Sequence, residues 1–123
     1  MIGKKIVDEA RKYVGTKYTS GGITPQQGFD CSGLVCYVFK KVANLDLPHQ
    51  TAQLINKGKK VTKDQLKQGD VVFPTRTYCG IYEGNNILIY VSNEGVKRGD
   101  LKYLNFYTAR RLVWITKIIS IIW

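Results

Sequence analysis

Cys31 stands in "GFDCSGLV", residues 28–35, between the carboxylate of Asp30 and the hydroxyl of Ser32, where a glycine-rich loop gives way to an apolar run. A cysteine so placed can act as a nucleophile if its thiol ionises and a neighbouring group handles protons. The chain holds one histidine, His49, in "LPHQ", so His49 is the one imidazole that could serve as its base. A lone loop histidine is more often a hydrogen-bonded surface residue than a relocated base. The other two cysteines, Cys36 and Cys79, read as small buried apolar residues. Three cysteines do not make a disulfide framework, and their spacing has no histidine support for zinc, so no metal or other cofactor is expected.

These groups need elements to hold them. Ile6, Val7, Ala10, Tyr13 and Val14 recur at helical spacing before Gly15, which predicts an amphipathic helix over the first 14 residues. "GTKYTSGGITPQQGFD" follows, with glycines and a proline suited to turns. From Cys31 the apolar residues Leu34, Val35, Val38, Phe39 and Val42 again keep the helical period, and Asp30 or Ser32 can cap its start. Cys31 therefore opens a helix, where unpaired N–H groups and the helix dipole favour a thiolate.

Pro48 ends that helix, a short helix is expected over Thr51 to Asn56, and Thr62 to Leu66 makes a further turn. After "QGD" the character becomes β-branched and aromatic: "VVF", "YCGIY", then "ILIYVS" beyond the turn at Gly84-Asn85-Asn86. "NEGVKRGD" reads as a basic loop, Tyr103 to Tyr107 as another strand or hairpin, and "ARRLVWITKIISIIW" as closing strands. Helices first and an antiparallel sheet after them make the class α+β, with the helices packed on the sheet.

With 123 residues and 44% hydrophobic composition, the chain fits one domain spanning 1–123. Its net charge of +10 at pH 7 should draw it to polyanions. The basic residues are scattered along the chain, with "KGKKVTK" at 57–63 the one local concentration, read as a solvent-facing loop or helix end, and this argues against a nucleic-acid face. Asp8 and Glu9 interrupt any leading apolar stretch, so no signal peptide is read, and no run is long enough for a membrane span. The apolar segment 117–123 is expected to pack as an edge strand, with a surface patch for a protein partner as the rival reading.

In order and spacing, "GTKYTSGG", "FDCSGLVCYVF", "LPHQTAQL", "LKQGDVVF" and "GIYEG" resemble the NlpC family of cell-wall cysteine peptidases, which are papain-like enzymes. The resemblance spans residues 1 to 113. It implies a papain-like α+β domain that acts on peptidoglycan stem peptides at the γ-D-glutamyl bond to a diamino acid, with the cell wall as its site of action. It also implies that Cys31 is the nucleophile, and that Tyr18, Asp30 and Ser32 shape the subsite for the stem peptide's free amine. An ammonium needs a counter-charge and acceptors, which a carboxylate beside a hydroxyl supplies.

The chain departs from the family at two places. Where the family has its general-base histidine, immediately before "VGIY" on the first long strand, this chain has Tyr78 before "CGIY"; where a second polar residue, often histidine, follows on the next strand, it has Tyr90. A phenol with an ordinary pKa of about 10 is protonated at neutral pH and is a poor base there. The expectation is a degenerate domain that binds stem peptide, anionic cell-wall polymer or a protein partner more than it cleaves. The alternative is an active endopeptidase or acyl transferase that uses Cys31 with His49 or a water relay as base.

Overall fold

The computed structural model describes residues 2–113. Helix α1, Ile2–Arg11, is followed by a small hairpin of β1, Ile23–Thr24, and β2, Gly28–Phe29. Helix α2 spans Cys31–Ala43 and the short α3 spans Thr51–Leu54. Six strands follow among the described residues: β3, Lys59–Val61; β4, Val71–Thr75; β5, Tyr78–Gly84; β6, Ile87–Ser92; β7, Gly95–Asp100; and β8, Thr108–Arg111. They form one antiparallel sheet in the order β3-β8-β4-β5-β6-β7.

The two long helices pack on one face of this sheet, as the α+β reading expects. Ile6, Val7 and Ala10 of α1 and Leu34, Val35, Val38 and Phe39 of α2 meet Val71, Phe73, Cys79, Ile81, Ile89 and Val91 of the central strands. Each large apolar side chain fully withdrawn from water there contributes about 1.5–3 kcal/mol before the cost of ordering it. The opposite face is covered by a separate cluster in which Val72, Leu88 and Ala109 receive Leu101, Leu104 and Phe106 from the segment between β7 and β8.

Helix α2 is fixed at both ends. Asp30 is its N-cap, extended at φ −94° and ψ 179°, and takes a hydrogen bond from Gly33 N at 2.7 Å; Asn44 closes the helix in the left-handed conformation. Gly33 is where α2 touches the glycine loop: a Cβ there would lie 1.9 Å from the Gly22 carbonyl oxygen. Only glycine lets the loop approach this closely.

Several segments differ from their sequence reading. Helix α1 ends at Arg11, three residues early, because Lys12, Tyr13 and Val14 bond back to carbonyls three residues before them in a tightening turn. The "basic loop" is strand β7, paired with β6 from Ser92↔Gly95 to Ile87↔Asp100. Its charges are carried on an outer strand, where Val96 is buried while Lys97 and Arg98 reach carboxylates on Glu94 and Glu83. Tyr103 to Tyr107 is not a strand or hairpin: Leu101–Tyr103 is a 3₁₀ turn, capped by Asp100, which accepts from Lys102 N at 2.9 Å, and the next strand starts only at Thr108. Within "KGKKVTK", Lys59–Val61 is the outer strand β3. The segment 117–123 lies outside the described residues.

The aspartate of "QGD" locks the sheet's outer side. Buried Asp70 receives two bonds of 2.8 Å from Arg111 of β8 and one of 2.8 Å from Lys67 N.

Candidate active site

The start of α2 meets the start of β5 at Cys31. The Cys31 Sγ stands 3.5 Å from the Thr51 hydroxyl at the head of α3 and 4.0 Å from the Thr77 carbonyl oxygen just before β5. The same Thr51 hydroxyl lies 3.8 Å from the Sγ of buried Cys79, so it sits between two sulfurs. Cys79 alternates inward on β5, toward the helices, while its neighbour Gly80 faces the other cluster.

This surround makes Cys31 acidic. Its pKa is lowered to about 6, first by a hydrogen bond from the Cys79 thiol; burial opposes this, the Thr51 hydroxyl and the Cys79 backbone add to it, and the Asp30 charge works against it. The complementary effects fall on Cys79, whose thiol is raised well above its ordinary value by its bond to Cys31 and by burial. Burial, then the Asp30 charge, pushes Cys36 up to about 11. The acidity of Cys31 thus has a source beyond the helix start: a second thiol that keeps its proton and donates it.

Asp30 gathers donors from three segments. Its Oδ1 takes Gly33 N at 2.7 Å, the Ser32 hydroxyl at 3.4 Å and His49 Nε2 at 2.7 Å, and its Oδ2 takes Gly21 N at 3.2 Å. A carboxylate partner assigns the ring proton of His49 to Nε2. The histidine is therefore bonded to Asp30, while Cys31 has Thr51, Thr77 and the Cys79 thiol around it. Ser32 is buried beside this carboxylate. The backbone of Tyr18 bridges to Phe29, the residue before Asp30, and the residue is 43% exposed.

Tyr78 and Tyr90 lie together on the sheet, their rings 6.1 Å apart and edge to face, as the register Gly80↔Tyr90 allows. The Tyr78 hydroxyl donates to the Val91 carbonyl. Its pKa is raised, first by burial and then by the negative charges that Cys31, Tyr90 and Cys79 would carry. A phenol with its proton committed to a carbonyl and its acidity suppressed is not a base at neutral pH.

The structure brings Asp30, Ser32 and His49 into one network and Tyr78 and Tyr90 into another, with Cys31 between the segments that carry them. Three groups around the thiol escaped the sequence reading: Thr51, Thr77 and Cys79. Thr51 and Thr77 carry no motif of their own, and Cys79 looked like a core residue because it is one. Its strand alternation pointed inward, but nothing local could say that the inward neighbour is Cys31.

Comparison with known proteins bears on what such a site belongs to. The NlpC/P60 family model matches residues 15–115. A gamma-DL-glutamyl hydrolase of Bacillus subtilis is 44% identical over 93 residues, covering 71% of this chain and 22% of its own length. The bifunctional muramidase/DL-endopeptidase CwlT of the same organism is 38% identical over 104 residues, 79% of this chain and 31% of its own. The chain thus spans between a fifth and a third of the length of these two relatives. The crystal structure of the NlpC/p60 domain of the peptidoglycan hydrolase SagA superposes with a TM-score of 0.84 at 34% identity, covering 89% of this chain and 98% of that domain. Helices on an antiparallel sheet, a cysteine opening the central helix and a family match over most of the chain agree: this protein belongs to the NlpC/P60 family and has its papain-like α+β fold.

Proposed function

We propose that this domain recognises peptidoglycan stem peptides through the Cys31 cleft and binds them more than it cleaves them. One observation carries the reading: the groups around Cys31 Sγ are the Thr51 hydroxyl, the Thr77 carbonyl and the Cys79 thiol, none of them a base at neutral pH, while the chain's single imidazole is bonded to Asp30. By the family resemblance Tyr78 and Tyr90 occupy the places of two polar groups, commonly histidines. The Tyr78 hydroxyl, tied to the Val91 carbonyl, neither takes nor delivers a proton at the thiol. Cys31 is the residue that would attack, and Tyr18, Asp30 and Ser32 would hold the substrate's amine. Asp30 already receives four donors, so an incoming ammonium shares that carboxylate with His49.

A second reading has its own support. A thiol held near pKa 6 is largely thiolate at neutral pH and needs no base to form the nucleophile. Attack would give a thioester if the leaving amine is protonated, by His49 or through a water. Water would then complete hydrolysis, and an amine would complete acyl transfer.

Turnover of a γ-D-glutamyl stem peptide, followed by mass of the products, separates the two. The binding reading expects the parent chain to be slower than a histidine-bearing relative by about 10³-fold or more, with Tyr78→His recovering part of the loss and Cys31→Ala abolishing what remains. A parent rate equal to the relative's, lost on Cys31→Ala, replaces it with the second reading.

A further inference from the structure

Between α3, the loop ahead of β5, the edge strand β3 and its neighbour β8 lies an open cavity of about 530 Å³. Its wall includes Ala52, Asn56, Tyr107 and three cations, Lys60, Arg76 and Arg110. Cys31 is not part of its wall, but two wall residues are chain neighbours of the groups around the thiol: Ala52 follows Thr51, and Arg76 precedes Thr77. Asp30 and His49 take no part in it.

Among the described residues its cations have no carboxylate partner. The chain has five arginines; Arg11, Arg98 and Arg111 pair with carboxylates, and the other two both line this cavity. Among the described residues neither Arg76, Arg110 nor Lys60 makes an ion pair. Arg76 is held by its Nε, which donates to the Tyr107 hydroxyl at 3.1 Å with the guanidinium 5.4 Å from that ring's centre. Arg110 spends one terminal nitrogen on the Thr108 hydroxyl at 2.8 Å and the Ala109 carbonyl at 2.9 Å. Each guanidinium is thereby oriented by the protein with other N–H groups left for a ligand, and a planar fork of such donors suits a carboxylate.

We infer that this cavity is a subsite for a free carboxylate flanking the scissile bond. The inference rests on the reading of the domain as a recogniser of γ-glutamyl peptides and adds the group that is recognised. A γ-linked glutamyl residue uses its side-chain carboxyl in the amide and leaves its α-carboxylate free, close to the carbonyl that Cys31 would face. The cleft then has two poles: Asp30 for the peptide's ammonium, and Arg76, Arg110 and Lys60 for its carboxylate.

The test is calorimetric titration of the Cys31→Ala chain with L-alanyl-γ-D-glutamyl-L-lysine and with the same tripeptide amidated at the glutamyl α-carboxylate. The free acid should bind about tenfold more tightly than the amide, as one charge-assisted contact implies. Arg76→Gln, Arg110→Gln and the exposed Lys60→Gln should each narrow that ratio, and Lys102→Gln, an exposed cation outside the cavity, should leave it unchanged. Lys60→Gln removes a solvent-facing end group, so it reports on the subsite even if an arginine variant folds poorly. Acid and amide binding equally, or a ratio unmoved by all three substitutions, overturns the subsite while leaving peptide recognition standing. Failure of both peptides to bind overturns recognition itself and the subsite with it.

Discussion

At the scale of single residues, the unusual feature is a pair of thiols in which one holds the other's charge. With its pKa near 6, Cys31 should react with iodoacetamide along a pH profile that rises through about 6 and is nearly flat by neutrality. Cys36, pushed up to about 11, should react only in strong base, and buried Cys79 should stay inert in the folded chain. Cys79→Val removes the leading donor while keeping an apolar core side chain of similar size, so the Cys31 midpoint should rise by about one pH unit or more. Peptide mass mapping after timed alkylation reads all three sites at once. A midpoint near the free-thiol value of about 8.5, unmoved by Cys79→Val, would falsify this account of the thiolate.

At the scale of elements, three pieces of chain far apart in sequence meet at Glu83. Arg98 of β7 reaches its two carboxylate oxygens at 2.7 and 2.6 Å, and Arg11 at the end of α1 reaches it at 3.0 Å, so one side chain on β5 ties the outer strand to the first helix. Glu83 is 6% exposed, and Arg98 leads the causes that bring its pKa to about 2. A carboxyl lower in the folded state than in the unfolded one, about 4.3, stabilises the fold fully above the unfolded value, and that contribution fades as pH falls toward 2. Glu83→Gln should therefore cost about 1–2 kcal/mol at pH 7, the half-exposed arginines discounting a fully buried pair, and the gap from the parent should close by about pH 2. Urea unfolding at pH 7, 4 and 2.5 measures this; a gap independent of pH would mean that Glu83 acts through packing and not through charge.

The same elements mark what could be read from sequence. Helix α2 and strands β4 to β6 were legible because their apolar spacing is strong and their punctuation, Asp30 before and Asn85-Asn86 between, is local. Strands β3 and β7 were not, because they lie at the sheet's two edges, where lysine and arginine replace the apolar residues that announce a strand. Those cations also discourage pairing with another chain's edge. Around Cys31 the motif residues were visible, whereas Thr51, Thr77 and Cys79 arrive from positions 20 to 48 residues away and become neighbours only through the fold.

At the scale of the whole molecule, a net charge of +10 predicts a general attraction to anionic polymer, distinct from the recognition proposed at Cys31. The two respond differently to salt. Scattered exposed charges act over about 10 Å in 0.1 M salt and are screened above it, whereas a tripeptide engages only a few charges, at contact distance. Binding to a polyglycerol-phosphate polymer should therefore weaken by about tenfold or more between 50 and 200 mM NaCl, and binding of the stem tripeptide by much less. Neutralising the exposed Lys57, Lys59 and Lys63 together should flatten the polymer's salt dependence and leave tripeptide affinity within about twofold, because none of them lines the cavity of Arg76 and Arg110. Sedimentation of the polymer complex and titration of the peptide, each across the salt series, give the two slopes. Equal slopes would mean that one surface does both tasks, and the separation between a charged exterior and a chemically selective cleft would fall.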